Sequence, residues 1–132
     1  MAKIRHIAYR VNDIEAMAEF FIKGFEMEIV ERRSSGAVDL SDGVINITLL
    51  PAGTPAGEGE ASHGIGHIGF SVEDDEAAKL RLLSLGATEA RMIRNDDAHY
   101  EIKFAGPEGI VVDIGHWAGT APIESEAAAA HA

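Results

Sequence analysis

The chain contains no cysteine, which excludes disulfide bonds, thiolate catalysis and cysteine-ligated metal centres. It has no apolar run of 18 residues and no leader-like apolar segment near its start, so we expect neither a membrane-spanning helix nor a secretory signal. Basic residues are scarce: 11 Lys and Arg face 22 Asp and Glu, for a net charge of -11. That charge disfavours nucleic acid and anionic membranes as partners. The absence of cysteine predicts a cytoplasmic protein, and an anionic small molecule could bind only where a few local Arg or Lys residues override the acidic net charge.

Apolar residues make up 46% of the 132 residues, which is enough for one domain with a real core. Alternation of apolar and polar residues predicts strands, and apolar stripes at helical spacing predict helices. The predicted strands cover residues 3–11, 27–34, 37–40, 44–50, 64–72, 88–94, 99–105 and 110–114, and the predicted helices cover 14–25 and about 75–85. The first helix should bury its cluster of phenylalanines, Phe20, Phe21 and Phe25.

The two halves of the chain repeat the same order of one strand, one helix and three strands. Residues 6–13 (HIAYRVND) align with residues 67–74 (HIGFSVED) at an offset of 61 residues. Neither half is large enough to hold a core alone. We therefore predict an α+β fold in which two βαβββ modules form a curved mixed sheet around a central cavity. The predicted organisation is a first module over 1–50, a linker loop over 51–63, a second module over 64–117 and a C-terminal tail over 118–132.

The repeat places histidines at equivalent positions, His6 and His67, and related strands that meet would bring them together. Each half also ends in an apolar strand that carries one polar residue, Asn46 or Asp113. A carboxylate in such a strand is costly to bury unless it is paired or binds a cation. Two imidazoles and a carboxylate form a facial triad, suited to Fe(II) or to Mn, Co, Ni or Zn. Each residue alone would more often be an ordinary hydrogen-bonded one, but their equivalent positions predict one divalent metal ion.

Strand alternation also sorts the basic residues near these positions. It places Arg10 on the same face as His6, and Arg5 on the opposite face. Arg10 could bind an anionic substrate group through two hydrogen bonds, or it could form a salt bridge with Asp113 or another acid. Lys103 is predicted to be solvated.

Three strings of this sequence are shared with one known family. They are residues 6–11 (HIAYRV) with the helix that follows, residues 66–72 (GHIGFSV), and residues 106–109 (GPEG) leading to Asp113. On these strings the chain resembles, from residue 3 to about 116, the vicinal oxygen chelate superfamily. That superfamily includes glyoxalase I, methylmalonyl-CoA epimerase, extradiol dioxygenases, fosfomycin-resistance enzymes and bleomycin-resistance proteins.

The resemblance implies paired βαβββ modules with a divalent metal held inside the cup. It places two metal-binding histidines at His6 and His67, and the final ligand, normally Glu, at Asp113. The remaining ligand, Glu or Gln in glyoxalase-like members, falls on Asn46. Asn46 is a weak donor that cannot take a proton, so a glyoxalase-type base is missing there. This departure favours a three-ligand site.

The resemblance further implies a general acid, or a group that orients a bound oxygen, close to the last strand. His99 and Tyr100 occupy that place, at the start of a predicted strand. Alternation lets only one of them face inward, and we favour His99 over a surface position beside the turn. Small proteins of this kind commonly form homodimers, and we expect one here. The metal site could lie within one chain, or His6 and Asn46 of one chain could join His67 and Asp113 of the other.

Three functions fit these observations. The first is a metal-dependent enzyme, either a dioxygenase or a glyoxalase- or epimerase-like lyase or isomerase, that acts on a small oxygen-rich molecule. The second is a bleomycin-resistance-like protein that binds a small molecule without turning it over. The third is a domain that keeps the fold for a structural or regulatory role and binds neither metal nor ligand.

Overall fold

A computed structural model describes residues 1–52, 64–96 and 99–116, and for residues 90–96, 99–100 and 116 it describes the backbone alone. The helices are α1 (Ile14–Phe25) and α2 (Asp75–Ser84). The strands are β1 (Lys3–Val11), β2 (Glu28–Arg32), β3 (Val38–Ser41), β4 (Asn46–Pro51), β5 (Gly64–Ser71), β6 (Thr88–Asp96), β7 (His99–Ala105) and β8 (Val111–His116). The predicted order of elements is confirmed. Within the described part of the chain, neither helix is long and apolar enough to cross a membrane.

All eight strands form one mixed sheet in the order β2-β3-β4-β1-β5-β8-β7-β6. The two halves of the chain join where β1 pairs antiparallel with β5. Each of these central strands pairs on its other side with the last strand of its own half, β1 with β4 and β5 with β8, and both of these pairs are parallel. This symmetric arrangement confirms the predicted α+β fold with a curved mixed sheet. The predicted linker and tail lie almost entirely outside the described residues.

The repeat extends to the caps of the two helices. Asp13 accepts a hydrogen bond from the backbone N–H of Ala16 at the start of α1, and Asp74 accepts one from Ala77 at the start of α2. The two aspartates are 61 residues apart, the same offset as the two histidines. A side-chain cap of this kind stabilises a helix by about 1 kcal/mol.

Each helix covers a hydrophobic cluster on the sheet. The cluster under α1 contains Val11, Ala18, Met27, Val38, Leu40 and Leu49, and the one under α2 contains Val72, Ala78, Ile102, Phe104 and Ile114. The prediction that the phenylalanines of α1 are core is wrong for two of them, because Phe20 and Phe25 are mostly exposed and only Phe21 packs on the cluster. Phe20 lies about 200° around the helix from the buried Ala18, since each residue turns the helix by 100°.

The two clusters show which strand residues point toward the helices and which point to the opposite face of the sheet. Val11 of β1 and Ile114 of β8 point toward the helices. Successive side chains of a strand point to opposite faces. By this alternation His6 and Asp113 belong to the other face of the sheet, where they are buried among polar side chains.

Candidate metal centre

His6, His67 and Asp113 lie together where β1, β5 and β8 run side by side. His6 is the register partner of Gly69 across the β1–β5 pair, and Asp113 is the partner of the same Gly69 across the β5–β8 pair. Gly69 therefore stands between them on the central strand, and because it has no side chain, His6 and Asp113 can meet across it. His67 comes from the same strand, two residues earlier.

The donor atoms of these three residues form a nearly equilateral triangle. Nε2 of His6 lies 3.1 Å from Oδ2 of Asp113 and 3.1 Å from Nε2 of His67, and Nε2 of His67 lies 3.0 Å from the same Oδ2. The edge of an octahedron is about 1.4 times its bond length, so bonds of about 2.1–2.2 Å give edges of about 3.0–3.1 Å. The triangle thus matches one face of an octahedral site for a divalent metal, and its donor set is the two-histidine, one-carboxylate facial triad. The residues present fit a divalent ion.

Glu101 of β7 joins the same centre. One ligand atom from each of His6, His67, Glu101 and Asp113 lies within 4.8 Å of the others, and all four side chains are buried. The sequence interpretation missed Glu101. All four residues come from the one chain that the structure describes, and the alternative of a site shared between two chains stays a prediction.

Arg5 is the ion-pair partner of Asp113. Its Nη2 donates to Oδ1 of Asp113 over 3.0 Å, and both side chains are almost fully buried. The prediction that Arg5 faces away from His6 is wrong, because the β1–β5 register shifts between Ile4 and His6, and such a bulge breaks strict alternation. Arg5 contacts Oδ1 while the imidazoles face Oδ2, so the carboxylate is anchored on one oxygen and available on the other.

Lys103 is fully buried beside His67, and the prediction that it is solvated is wrong. Its Nζ donates to Nδ1 of His67 over 3.0 Å and lies 3.5 Å from Oε1 of Glu101. β7 lies inside the sheet, between β8 and β6, and Lys103 is the register partner of Asp113. This register brings the ammonium to the candidate metal centre.

The other predicted site residues have different outcomes. Arg10 is buried, and its guanidinium lies against Gly66. Asn46 is buried and is the register partner of His6 across the β1–β4 pair. His99 and Tyr100 begin β7 as predicted, but their side chains lie outside the description. The roles assigned to these four residues, in substrate binding, metal binding and catalysis, stay predictions.

Burial and charge set the ionisation of the centre. Burial, reinforced by the positive charge of Arg5, lowers the pKa of His6 to about 4. Burial alone would raise the pKa of Asp113, but attraction to His6, hydrogen bonds from both imidazoles and the charge of Arg5 hold it well below its usual value. Burial raises the pKa of Glu101. His6 is therefore a neutral imidazole at neutral pH, the form that binds metals.

We expect the stability of the metal-free protein to fall between pH 6.5 and 4 because of His6. In this window the unfolded chain protonates His6 while the folded protein holds it neutral, so acid favours unfolding. A pKa lowered from 6.5 to about 4 corresponds to a loss of about 3 kcal/mol. Urea unfolding of the wild type and of His6→Gln at pH 7 and pH 4.5 measures it, and an equal loss in both proteins contradicts the assignment.

A concavity of about 340 Å³ opens beside the centre. It is lined by Ile65, Gly66, His67, Ile68, Glu108, Gly109, Ile110 and Val111. This volume lies at the small end of ligand-binding pockets.

Comparison with solved structures shows the same fold in several proteins, each less than 25% identical in sequence. A hypothetical protein from Bacillus halodurans C-125 has 18% identity and a TM-score of 0.67, covering 91% of this chain and 97% of that one. The 2,3-dioxygenase LapB from Pseudomonas sp. KL28 has 19% identity and a TM-score of 0.68 over 94% of this chain, which spans only 44% of LapB. A single-residue variant of Streptomyces coelicolor methylmalonyl-CoA epimerase has 19% identity and a TM-score of 0.62, covering 89% of this chain and 98% of that one.

Comparison with curated protein sequences finds no significant match. A family model, by contrast, matches residues 3–114, a range that includes His6, His67, Glu101 and Asp113. The match spans both halves of the repeat and every strand that contributes to the centre. The chain belongs to the Glyoxalase/Bleomycin resistance protein/Dioxygenase superfamily.

Proposed function

We propose that this protein is a divalent-metal-dependent enzyme that acts on a small, oxygen-rich molecule. The observation that carries the proposal is the triangle of Nε2 of His6, Nε2 of His67 and Oδ2 of Asp113, with edges of 3.0–3.1 Å. Three donors on one face of an octahedron leave the opposite face for two neighbouring substrate oxygens and a water. The resemblance to dioxygenases and epimerases in fold supports the same class of activity.

The chain's own residues would hold the metal and shape its surroundings. Arg5 fixes the carboxylate of Asp113 through Oδ1, and such outer contacts hold a ligand in its binding geometry. A divalent ion held by the triad would polarise two adjacent substrate oxygens, the chemistry that isomerases, lyases and ring-cleaving dioxygenases share. Asn46 could add no more than a neutral amide oxygen. We keep His99 as the proposed group for proton transfer or oxygen orientation.

The charges around the centre favour an anionic substrate. Two buried cations, Arg5 and Lys103, lie beside two buried carboxylates, Asp113 and Glu101, and a divalent ion would add two positive charges. The rest of the chain is acidic, with a net charge of -11, so this local excess is a feature of the site. A small carboxylate, enolate or catecholate would neutralise it. We also propose that the protein is cytoplasmic, because it lacks cysteine. We propose a homodimer because small proteins of this kind commonly dimerise.

Binding without catalysis is a second candidate function, and one observation favours it. The Lys103 ammonium already contacts His67, and a buried cation of this kind could balance the carboxylates with no metal present. The protein would then hold an anionic molecule in the same place without turning it over.

We predict that the protein purified without an affinity tag contains about one equivalent of Fe, Mn, Ni, Co or Zn per chain, and that His67→Ala loses it. The substitution removes one of three donors, so less than about a tenth of an equivalent should remain. Elemental analysis of both proteins, before and after reconstitution, measures the difference.

His99→Ala is the control, because His99 is proposed to act on the substrate and outside the ligand set, and it should retain the metal. The identity of the metal then directs the assay. Iron points to oxygen uptake with catechols, whereas nickel, cobalt or zinc points to isomerase substrates and glutathione adducts. If the wild type takes up no metal even after reconstitution, the enzyme proposal is wrong and stoichiometric binding of an anion becomes the function to test.

A further inference from the structure

Glu101 is a buried carboxylate at the metal centre, on a strand that supplies none of the ligands predicted from the sequence. It is 6% exposed, and one of its carboxylate oxygens lies within 4.8 Å of a ligand atom from each of His6, His67 and Asp113. Two ligands on opposite sides of a metal with bonds of about 2.1–2.2 Å are separated by about 4.3 Å. Glu101 is thus within a small side-chain adjustment of a fourth ligand position.

The strand register explains why Glu101 reaches the centre. β7 pairs with β8 so that Lys103 stands opposite Asp113 and Glu101 stands opposite Gly115. Glu101 and Lys103 are two residues apart and so share a face of β7, the face that holds Asp113. The other face of β7 carries Ile102 and Phe104 into the cluster under α2.

Lys103 is a cation beside this buried carboxylate, and its ammonium also contacts His67. The separation of Lys103 Nζ from Oε1 of Glu101 is 3.5 Å, longer than a close charge-assisted hydrogen bond, while the same Nζ is 3.0 Å from Nδ1 of His67. When Nε2 of His67 binds a metal, the proton of its neutral imidazole is on Nδ1, which then cannot accept from Lys103. The Lys103 ammonium can then pair with Glu101. In metal sites, a carboxylate that binds the metal is commonly held by such a hydrogen-bond donor outside the ligand set.

We propose that Glu101 is the fourth protein ligand of the metal, supplied by β7 in place of the weak amide donor of Asn46 on β4. The complete set is then two imidazoles and two carboxylates, with three of the four ligands from the second half of the chain. Two positions of an octahedral ion stay open for a bidentate substrate. This inference rests on the proposed function, since it needs a metal at the triad.

The test is Co²⁺ binding to chelator-treated protein, measured as a dissociation constant by calorimetry and as a visible absorption spectrum of the bound ion. Glu101→Gln keeps the shape of the side chain and removes its charge. We expect it to weaken Co²⁺ binding at least about tenfold. Loss of a group that only hydrogen-bonds to a ligand already lowers metal affinity by about 10- to 100-fold, and loss of a ligand should lower it at least as much. The absorption bands should also shift, because they report the donor atoms.

Two comparison variants make the result decisive. Asn46→Ala should change the dissociation constant by less than about threefold, and Glu28→Gln, on the exposed strand β2, should change nothing. If Glu101→Gln does not fold, the double variant Glu101→Met with Lys103→Met replaces it. Removing both charges of a buried pair is often tolerated, and this variant should also bind Co²⁺ at least about tenfold more weakly.

Several results would overturn the assignment. Wild-type affinity and spectrum in Glu101→Gln would do so, and so would weaker binding with an unchanged spectrum, which reports a charge effect without ligation. If Asn46→Ala lowers the Co²⁺ affinity as much as Glu101→Gln does, the fourth ligand is Asn46 of β4. If the wild type itself binds no Co²⁺, the proposed function fails and the assignment of Glu101 fails with it, whereas binding unaffected by Glu101→Gln removes only the assignment.

Discussion

Gly69→Ala should abolish metal binding although Gly69 itself is no ligand. A methyl group at this position would lie 2.5 Å from Cδ2 and 2.6 Å from Nε2 of His6, and 2.7 Å from Oδ1 of Asp113. Carbon atoms in contact are normally about 3.5 Å or more apart, so both ligands must move. We expect metal affinity to fall at least about a hundredfold and the free energy of unfolding to fall by about 1–3 kcal/mol, as for overpacked cores. Calorimetric metal titration and urea unfolding measure the two effects.

Gly66→Ala is the matched control on the same strand. A methyl group there would lie 3.0 Å from Nη1 of Arg10, the far end of a long side chain that can shift, and the three atoms nearest to it all belong to Arg10. Gly66→Ala should therefore bind metal as tightly as the wild type. If Gly69→Ala also binds like the wild type, then His6 and Asp113 do not face each other across Gly69, and the triangle of donors is wrong.

The two histidines could be predicted from sequence because the repeat carries its own geometry. Residues at equivalent positions of two related modules are related by the axis that relates the modules, and the antiparallel β1–β5 pair places His6 and His67 near that axis. Asp113 was predictable for a different reason. A lone carboxylate between apolar residues of a strand needs a buried partner, and the structure supplies Arg5 and the imidazoles.

The position of Arg5 could not be predicted from alternation. A strand pattern gives the face of each side chain only while the pairing register is regular. In β1 the register shifts next to Arg5, and its guanidinium reaches Asp113, as the ring of the neighbouring His6 also does. No residue of β1 indicates this shift, since it arises from how β1 and β5 pair.

Glu101 and Lys103 were missed because their strand has two buried faces. The string Glu101-Ile102-Lys103-Phe104 alternates charged and apolar residues, the usual pattern of a strand with one side in water. In the structure the charged side is instead buried, and Glu101 lies close to His6 of the first half of the chain. Two charges of opposite sign on one strand face, next to a strand with a lone carboxylate, were the available signal.

Asp113→Asn should destabilise the protein by about 3–5 kcal/mol, the cost of leaving one partner of a buried ion pair uncompensated. Asp113 is fully buried, and Arg5, its partner at 3.0 Å, is 1% exposed. Asparagine has the same shape, so the loss comes from the missing charge. The total free energy of unfolding of a domain is about 5–15 kcal/mol, so the variant should retain only part of its stability. Metal binding should also be lost, because the amide is a far weaker donor than the carboxylate.

Asp39→Asn separates the loss of stability from the loss of metal. Asp39 is also a buried carboxylate in an ion pair, with Arg33 at 2.8 and 2.9 Å, and it accepts a hydrogen bond from Thr48. It is not among the residues that form the centre. We expect Asp39→Asn to lower stability by a smaller amount, because Arg33 is partly exposed and can be hydrated, and to leave metal affinity unchanged.

The pH dependence shows whether the charge of Asp113 is the cause. The pKa of Asp113 in the folded protein lies well below 3.8, so its carboxylate stabilises the fold at every pH above the unfolded pKa, and this contribution is lost as the pH falls through the folded pKa. Asparagine has no such dependence. The difference in unfolding free energy between the metal-free wild type and Asp113→Asn should therefore be constant from pH 7 to about 5 and shrink below about pH 4. If the difference stays the same at pH 3, the asparagine lowers stability by disturbing the packing. The ion pair between Arg5 and Asp113 would then contribute little to the free energy of unfolding.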